Sequence, residues 1–153
     1  MEMTLPAIEI RRDSARELYS ITVLTRRFFP YMEFGMRQIE ERLKDDSISY
    51  YVALAQGCTI GYVDFKEARD SIDVMGVAVL DEFQGKGVGT RLLEVPVREA
   101  RRMGKPRVNI FVSASNAKAR QLYEKNGFEL KGKLPHQVFG RDVLVMSKLL
   151  AKE

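Results

Sequence analysis

The chain carries one cysteine and one histidine. A lone cysteine, Cys58, cannot form an internal disulfide, so no covalent staple holds the fold and a reducing compartment is expected. One histidine, His136, beside one cysteine cannot complete a usual zinc shell, so no metal site is expected. No apolar run approaches the ~20 residues needed to cross a bilayer. The stretch Met1 to Arg12 holds Glu2, Pro6 and Glu9 where a signal peptide would be apolar. A cytoplasmic protein without membrane association is the expectation. No repeat and no low-complexity linker divides the sequence, and 153 residues suit one domain with one substantial core. A single domain over 1–153 is therefore expected.

Of the residues present, 45% are apolar and 30% charged, ordinary shares for a soluble globular domain. The net charge of +4 is spread along the chain, its longest basic clusters being the pairs Arg11-Arg12, Arg26-Arg27 and Arg101-Arg102. Such a surface suits an anionic partner such as a phosphorylated cofactor, or is simply solvated. No basic stripe with interleaved aromatics is present, so nucleic acid is not an expected partner.

The apolar patterning predicts a mixed α/β domain. Ile8 to Ile10 reads as a strand, Ser14 to Phe28 as a helix capped by Asp13 or Ser14, and Glu33 to Leu43 as a second helix after Pro30. Ile48 to Ala55, Thr59 to Lys66 and Ile72 to Leu80 read as strands joined by short turns, an antiparallel meander. A glycine-rich loop, Asp81 to Gly89, then leads into a helix over Thr90 to Met103, ended by Gly104-Lys105-Pro106. Arg107 to Val112 is a strand, Asn116 to Lys125 a helix, and Phe128 to Lys133 and Val143 to Lys148 are the last strands. The order strand, loop, helix, strand from Ile72 to Val112 predicts a right-handed parallel crossover.

The loop reads Gln84-Gly85-Lys86-Gly87-Val88-Gly89. It stands between a strand and a helix N-terminus, where unpartnered N–H groups and the helix dipole favour an anion. Glycines let that backbone approach a phosphate, although a sharp turn alone would also ask for them. A Walker loop would need Lys-Ser or Lys-Thr after its last glycine, and Gly89 is followed by Thr90-Arg91. A dinucleotide fingerprint would place two residues between its last glycines and an acid about twenty positions on. Here Val88 alone separates Gly87 from Gly89, and Arg107 and Asn109 occupy the later region.

Downstream stand Phe111-Val112-Ser113-Ala114-Ser115-Asn116 and Leu122-Tyr123-Glu124-Lys125-Asn126-Gly127-Phe128. With the glycine loop, in this order and at this separation, these segments resemble the paired cofactor motifs of the GCN5-related N-acetyltransferase (GNAT) family. The resemblance covers about Ile48 to Leu149. It implies an acyl-CoA N-acyltransferase fold with a mostly antiparallel sheet splayed near its middle. It implies an enzyme that passes acetyl from acetyl-CoA to an amine by direct attack in a ternary complex. The acceptor would be a protein N-terminus, a lysine side chain, a polyamine or another small amine.

By the same resemblance, the backbone of Val77, Ala78 and Val79 would pair with the pantetheine arm. The amides of Gln84, Gly85, Lys86, Gly87, Val88, Gly89 and Thr90 would hold the pyrophosphate, with Lys86 or Arg91 adding charge. Asn116 would contact the cofactor, and it also stands where a helix cap is expected. Tyr123 would protonate the leaving thiolate. The proton acceptor for the amine is harder to place. One branch carries a glutamate where this chain has Phe111. Another carries a glutamate on the strand before the loop, and counting back gives Asp73, which as an aspartate is shorter and would act through a water. Glu33 and Glu67 are weaker alternatives, and His136 is an acceptor-site candidate. The segments Arg26 to Leu43 and Leu134 to Asp142 are expected to form the acceptor site. The family leaves room for a homodimer. The rival from another class is a non-catalytic acetyl-CoA-binding sensor or regulatory module, which would have no need of Tyr123.

Overall fold

The computed structural model describes residues 7–151. Residues 1–6 and 152–153, the ends of the expected domain and half of the N-terminal stretch, lie outside the described residues. A seven-stranded sheet runs through the structure in the order β1-β2-β3-β4-β5-β7-β6. Its strands are β1 (Ile8–Asp13), β2 (Ile48–Ala55), β3 (Cys58–Glu67), β4 (Ser71–Val79), β5 (Arg107–Ser113), β6 (Glu129–Lys133) and β7 (Val143–Leu149). The helices are α1 (Leu18–Phe28), α2 (Met36–Lys44), α3 (Val88–Arg102) and α4 (Ala117–Lys125). Short 3-10 turns occupy Pro30–Met32 and Asp81–Phe83. Every neighbouring pair of strands is antiparallel except β4 and β5. The parallel β4–α3–β5 unit expected from the sequence is present.

Strand alternation sends side chains to both faces of the sheet. Ala53 and Ala55 of β2 join Val63, Phe65, Ile72, Val74, Val108 and Ile110 under Leu92 and Val95 of α3. Tyr50, Val52 and Leu54 of the same strand point the other way, with Tyr62 and Ala78, against Ile21 and Leu24 of α1 and Ile39 of α2. The sheet thus has α3 on one side and the α1–α2 pair on the other.

The starts of α1 and α2 lie later than the sequence expectation, and α3 starts earlier, at Val88 instead of Thr90. Asp13 ends β1, and its carboxylate accepts from the Glu17 N–H at 3.1 and 3.2 Å. That bond holds residues 14–17 as a turn, so α1 begins one turn later, at Leu18. Glu33 has φ 54 and closes the 3-10 turn. A left-handed residue cannot open a right-handed helix, so α2 starts after Gly35, whose N–H is met by the Gln38 side chain at 2.9 Å.

The sheet opens at its middle. Strand β4 pairs with β5 only from Ser71 to Val74, against Arg107 to Ile110. Beyond that, Met75 to Val79 and Phe111 to Ser113 have no mutual register. The cause is visible on the other edge of β4. Phe65 opposes Val74 but Asp64 opposes Gly76, so Met75 is an extra residue, a β-bulge. Bulges bend the strand that carries them, and the part of β4 beyond Met75 leaves β5. The mostly antiparallel, splayed sheet is thus present, with its opening between β4 and β5.

Candidate active site

The opening leads into a cavity of about 410 Å³, toward the small end of the ~300–1,000 Å³ typical of small-molecule sites. Its walls come from both sides of the splay. Gly76 and Val77 of β4, Phe111 to Ser113 of β5, Asn116 and Tyr123 form one part. Thr25, Phe29, Tyr31, Phe34 and Arg42 from the α1–α2 region, with Tyr50, Tyr62 and Asp64 from β2 and β3, form another. Leu134, Val138, Phe139, Arg141 and Val143 close it from the β6–β7 side.

The cofactor residues expected from the sequence lie along one path. Past Val74, the edge of β4 that faced β5 carries backbone groups without a strand partner, and such groups need one from somewhere. Val77 reaches the cavity, and Ala78 and Val79 are buried. At the top of β4 the loop turns on Gly85 (φ 73) and Gly87 (φ 87), and a Cβ built on either meets no atom within 4 Å. The loop is therefore open above its glycines, as a phosphate cradle must be. The Gln84 amide nitrogen donates to the Val79 carbonyl at 2.8 Å, while its Oε1 is buried without a partner. Lys86 lies over the Phe83 ring. Val88 opens α3 and is buried. Gly89 has a packing reason of its own, since a Cβ there would lie 2.9 Å from Leu122 Cδ2. Thr90 accepts from the Asn126 side chain at 3.2 Å.

Asn116 does what a cap does, its Oδ1 accepting from the Ala119 N–H at 3.1 Å, and it also lines the cavity. Tyr123 is 4% exposed, packs edge-on against Phe128 and lines the cavity. Burial raises its phenol well above the usual range, so it keeps its proton at neutral pH. Arg91 is turned away from the loop and donates to the Ile8 carbonyl at 2.9 Å, tying α3 to β1.

The structure does not bring Asp73 to this cavity. It sits below the bulge, in the part of β4 still paired with β5, and its Oδ1 accepts from Ser71 at 2.7 Å and from Asn109 at 3.2 Å. Glu33 caps a turn, and Glu67 pairs with Lys105 at 2.9 Å. Neither they nor His136 line the cavity.

Another carboxylate does. Asp64 stands in the middle of β3, 4% exposed. Its Oδ2 receives the Arg42 guanidinium at 2.5 Å, and Arg42 Nε donates to the Tyr50 hydroxyl at 2.8 Å. Its Oδ1 lies 3.1 Å from where a Cβ on Gly76 would be. Only the absence of a side chain at Gly76 leaves that oxygen room at the bulge. Burial pushes the Asp64 carboxyl up, to about 6, against the pull of Arg42. Burial disfavours the Arg42 charge, but Asp64 and Tyr50 outweigh it and hold the guanidinium ionised. Nearby, the Tyr62 hydroxyl bonds Thr25 at 2.9 Å. This polar floor was missed in the sequence. The one signal was a charged residue between Val63 and Phe65, inside a strand otherwise rich in apolar and aromatic residues.

The profile of the acetyltransferase (GNAT) family matches residues 12–128. The chain belongs to that family. It is 27% identical over 158 residues to an N-alpha-acetyltransferase of Saccharolobus solfataricus, with 92% of this chain and 90% of that protein aligned. It is 32% identical over 94 residues to an L-methionine sulfoximine/L-methionine sulfone acetyltransferase of Pseudomonas aeruginosa, with 57% of this chain aligned. The chain spans only about half, 55%, of that enzyme's length. Its fold is similar to that of the PaiA N-acetyltransferase of Thermoplasma acidophilum, solved in complex with coenzyme A. The TM-score there is 0.74 at 20% identity, over 94% of this chain and 99% of that one. As a member of this family the chain is an acetyl-CoA-dependent N-acetyltransferase, with acetyl-CoA as its acetyl donor. Among the described residues, no helix is long and apolar enough to cross a membrane.

Proposed function

We propose that this GNAT enzyme acetylates a primary amine held in the cavity between β4 and β5, by direct attack in a ternary complex. The observation that carries this reading is that Tyr123 and Asp64 line the same cavity from different walls. The backbone of Val77 to Val79 and the amides from Gln84 to Thr90 bind the donor, with Asn116 beside it. The free edge of β4 supplies donors and acceptors for the amides of the arm, and the α3 N-terminus supplies positive dipole density for its phosphates. The open cradle over Gly85 and Gly87 fits that group.

The amine forms a C–N bond with the acetyl carbon, and the C–S bond breaks. Two protons must move. The amine nitrogen becomes acidic as the C–N bond forms, and Asp64 Oδ1 takes its proton. The departing sulfur takes one from the Tyr123 hydroxyl. Arg42 holds Asp64 by its other oxygen and fixes its orientation. Asp64 fills the role that position alone had suggested for Asp73, because Asp73 is engaged by Ser71 and Asn109 outside the cavity. The names of two relatives, an N-alpha-acetyltransferase and an L-methionine sulfoximine/L-methionine sulfone acetyltransferase, support an amine acceptor. A cytoplasmic setting, with a single domain as the working unit, completes the reading.

The test is thiol release from acetyl-CoA with a panel of primary amines, polyamines, free amino acids and peptides. Turnover above the no-amine background with at least one of them is expected. Acetyl-CoA binding with no amine acetylated would leave a binding module in place of this reading.

A further inference from the structure

The cavity has a roof, and the roof carries a charge that the proposed chemistry does not use. Residues Val138 to Arg141 form a tight turn, with backbone bonds of 2.9 and 3.0 Å in both directions between its ends. Its centre is Phe139 at φ 49 and Gly140 at φ 72. A phenylalanine in the left-handed region is strained and persists only where surroundings impose it. Here the strained residue sets its ring 6.4 Å from Tyr31 and 6.3 Å from Phe34, centroid to centroid. Beside it the Arg141 guanidinium lies 4.4 Å over the Tyr31 ring and reaches Ser115 Oγ at 3.4 Å. The β6–β7 turn is thereby joined to the segment between α1 and α2, across the acceptor side of the cavity.

The charges beneath this roof do not cancel. Arg42 is met by Asp64 and Tyr50. Arg141 has no carboxylate within ion-pair distance among the described residues, and it lines the cavity. The space therefore offers one carboxylate oxygen, Asp64 Oδ1, and one guanidinium without a carboxylate partner, that of the exposed Arg141, with Phe29, Phe34, Phe111 and Phe139 also on its walls. An amine alone would satisfy the first and leave the second empty. A peptide N-terminus would bring no anion next to its amine.

We propose that the acceptor is a small zwitterion, a free α-amino acid with an apolar side chain. Its amino group, deprotonated for attack, faces Asp64, its carboxylate faces Arg141, and its side chain lies among the aromatic rings. This rests on the amine-acetylation reading above and names the substrate class of that same site.

The experiment compares free leucine, methionine and phenylalanine with their amides, their decarboxylated amines and dipeptides beginning with the same residue. Loss of a hydrogen bond to a charged group typically costs about 10–100-fold. The free amino acids should exceed their amides and decarboxylated amines in kcat/KM by at least about tenfold on that basis. Arg141→Met should erase this preference through KM for the acceptor, and Arg141→Lys should restore part of it. Calorimetry with coenzyme A present should show the free amino acid binding to the parent, with the heat lost in Arg141→Met. Amides, amines or peptides acetylated as well as the free acids, or a preference that survives Arg141→Met, would overturn the zwitterion while leaving amine acetylation intact. No acetylation of any class would overturn both.

Discussion

Replacing Asp64 by asparagine separates the carboxylate's chemistry from its shape. Asparagine keeps the size and one acceptor oxygen but cannot take a proton from the amine. General bases typically contribute ~10²–10⁴-fold, and kcat should fall within that range. The structural cost can be bounded. Removing one partner of a buried ion pair costs about 3–5 kcal/mol when the other charge is left stranded. Arg42 is not stranded, since its side chain is 23% exposed and its Nε keeps the 2.8 Å bond to Tyr50. The loss should therefore be nearer about 1–3 kcal/mol, below the ~5–15 kcal/mol that holds a domain folded.

The pH profile makes the test specific. The Asp64 carboxyl is raised to about 6, so it is ionised and able to accept a proton above that pH and is protonated below it. In the parent, kcat/KM should fall more steeply below that value than above it, by a further factor of about ten per unit, because protonation of the carboxylate adds to protonation of the amine. In Asp64→Asn that limb should disappear, leaving only the rise at higher pH as the acceptor amine deprotonates. A rise in melting temperature with acetyl-CoA would show that the variant is folded and binds its donor. The reasoning fails if such a variant keeps full turnover at neutral pH with chemistry rate-limiting, or if the acidic limb near pH 6 persists without the carboxylate.

Asp73→Asn should change kcat by less than about twofold, because its carboxylate lies outside the cavity with Oδ1 serving Ser71 and Asn109; a loss as large as that of a general base, ~10²-fold or more, would return the role to Asp73. Gly87→Asp should abolish the thermal shift given by acetyl-CoA, since a carboxylate would enter the open cradle at the start of α3; unchanged affinity would reduce the loop to a turn. Tyr123→Phe should lower kcat toward the low end of ~10²–10⁴-fold with little change in donor affinity, because the ring still packs against Phe128. Full turnover in that variant, with chemistry limiting, would remove the hydroxyl from the proton path.

The two halves of the site were unequally legible. The donor half is built from local features: a strand, a loop with positive φ at Gly85 and Gly87, a helix start at Val88 and a cap at Asn116. Each leaves its mark in a few consecutive residues, so the sequence shows them together. The acceptor half gathers Thr25 from α1, Arg42 from α2, Tyr50 from β2 and Asp64 from β3. Within its own element each reads as an ordinary amphipathic position, and only the sheet register makes them neighbours. Counting along β4 from the loop, the only local reference point, leads to Asp73. The carboxylate at the cavity lies one strand over, opposite Gly76.

That displacement has a single structural origin. Strand β4 cannot both pair with β5 along its full length and offer its edge to a ligand. Pairing from Ser71 to Val74 keeps the two halves of the sheet together, and Ile72, Val74, Val108 and Ile110 carry the core across that junction. The extra residue at Met75 then turns the strand outward. Its bend opens the edge of Val77 to Val79 on one side and brings glycine opposite Asp64 on the other. A side chain at position 76 would press on Asp64 Oδ1 and the Phe29 ring, at 3.1 and 3.4 Å. The proposed donor edge and acceptor carboxylate are thus set by the same bulge, which explains why they meet at one cavity although no short stretch of sequence contains both.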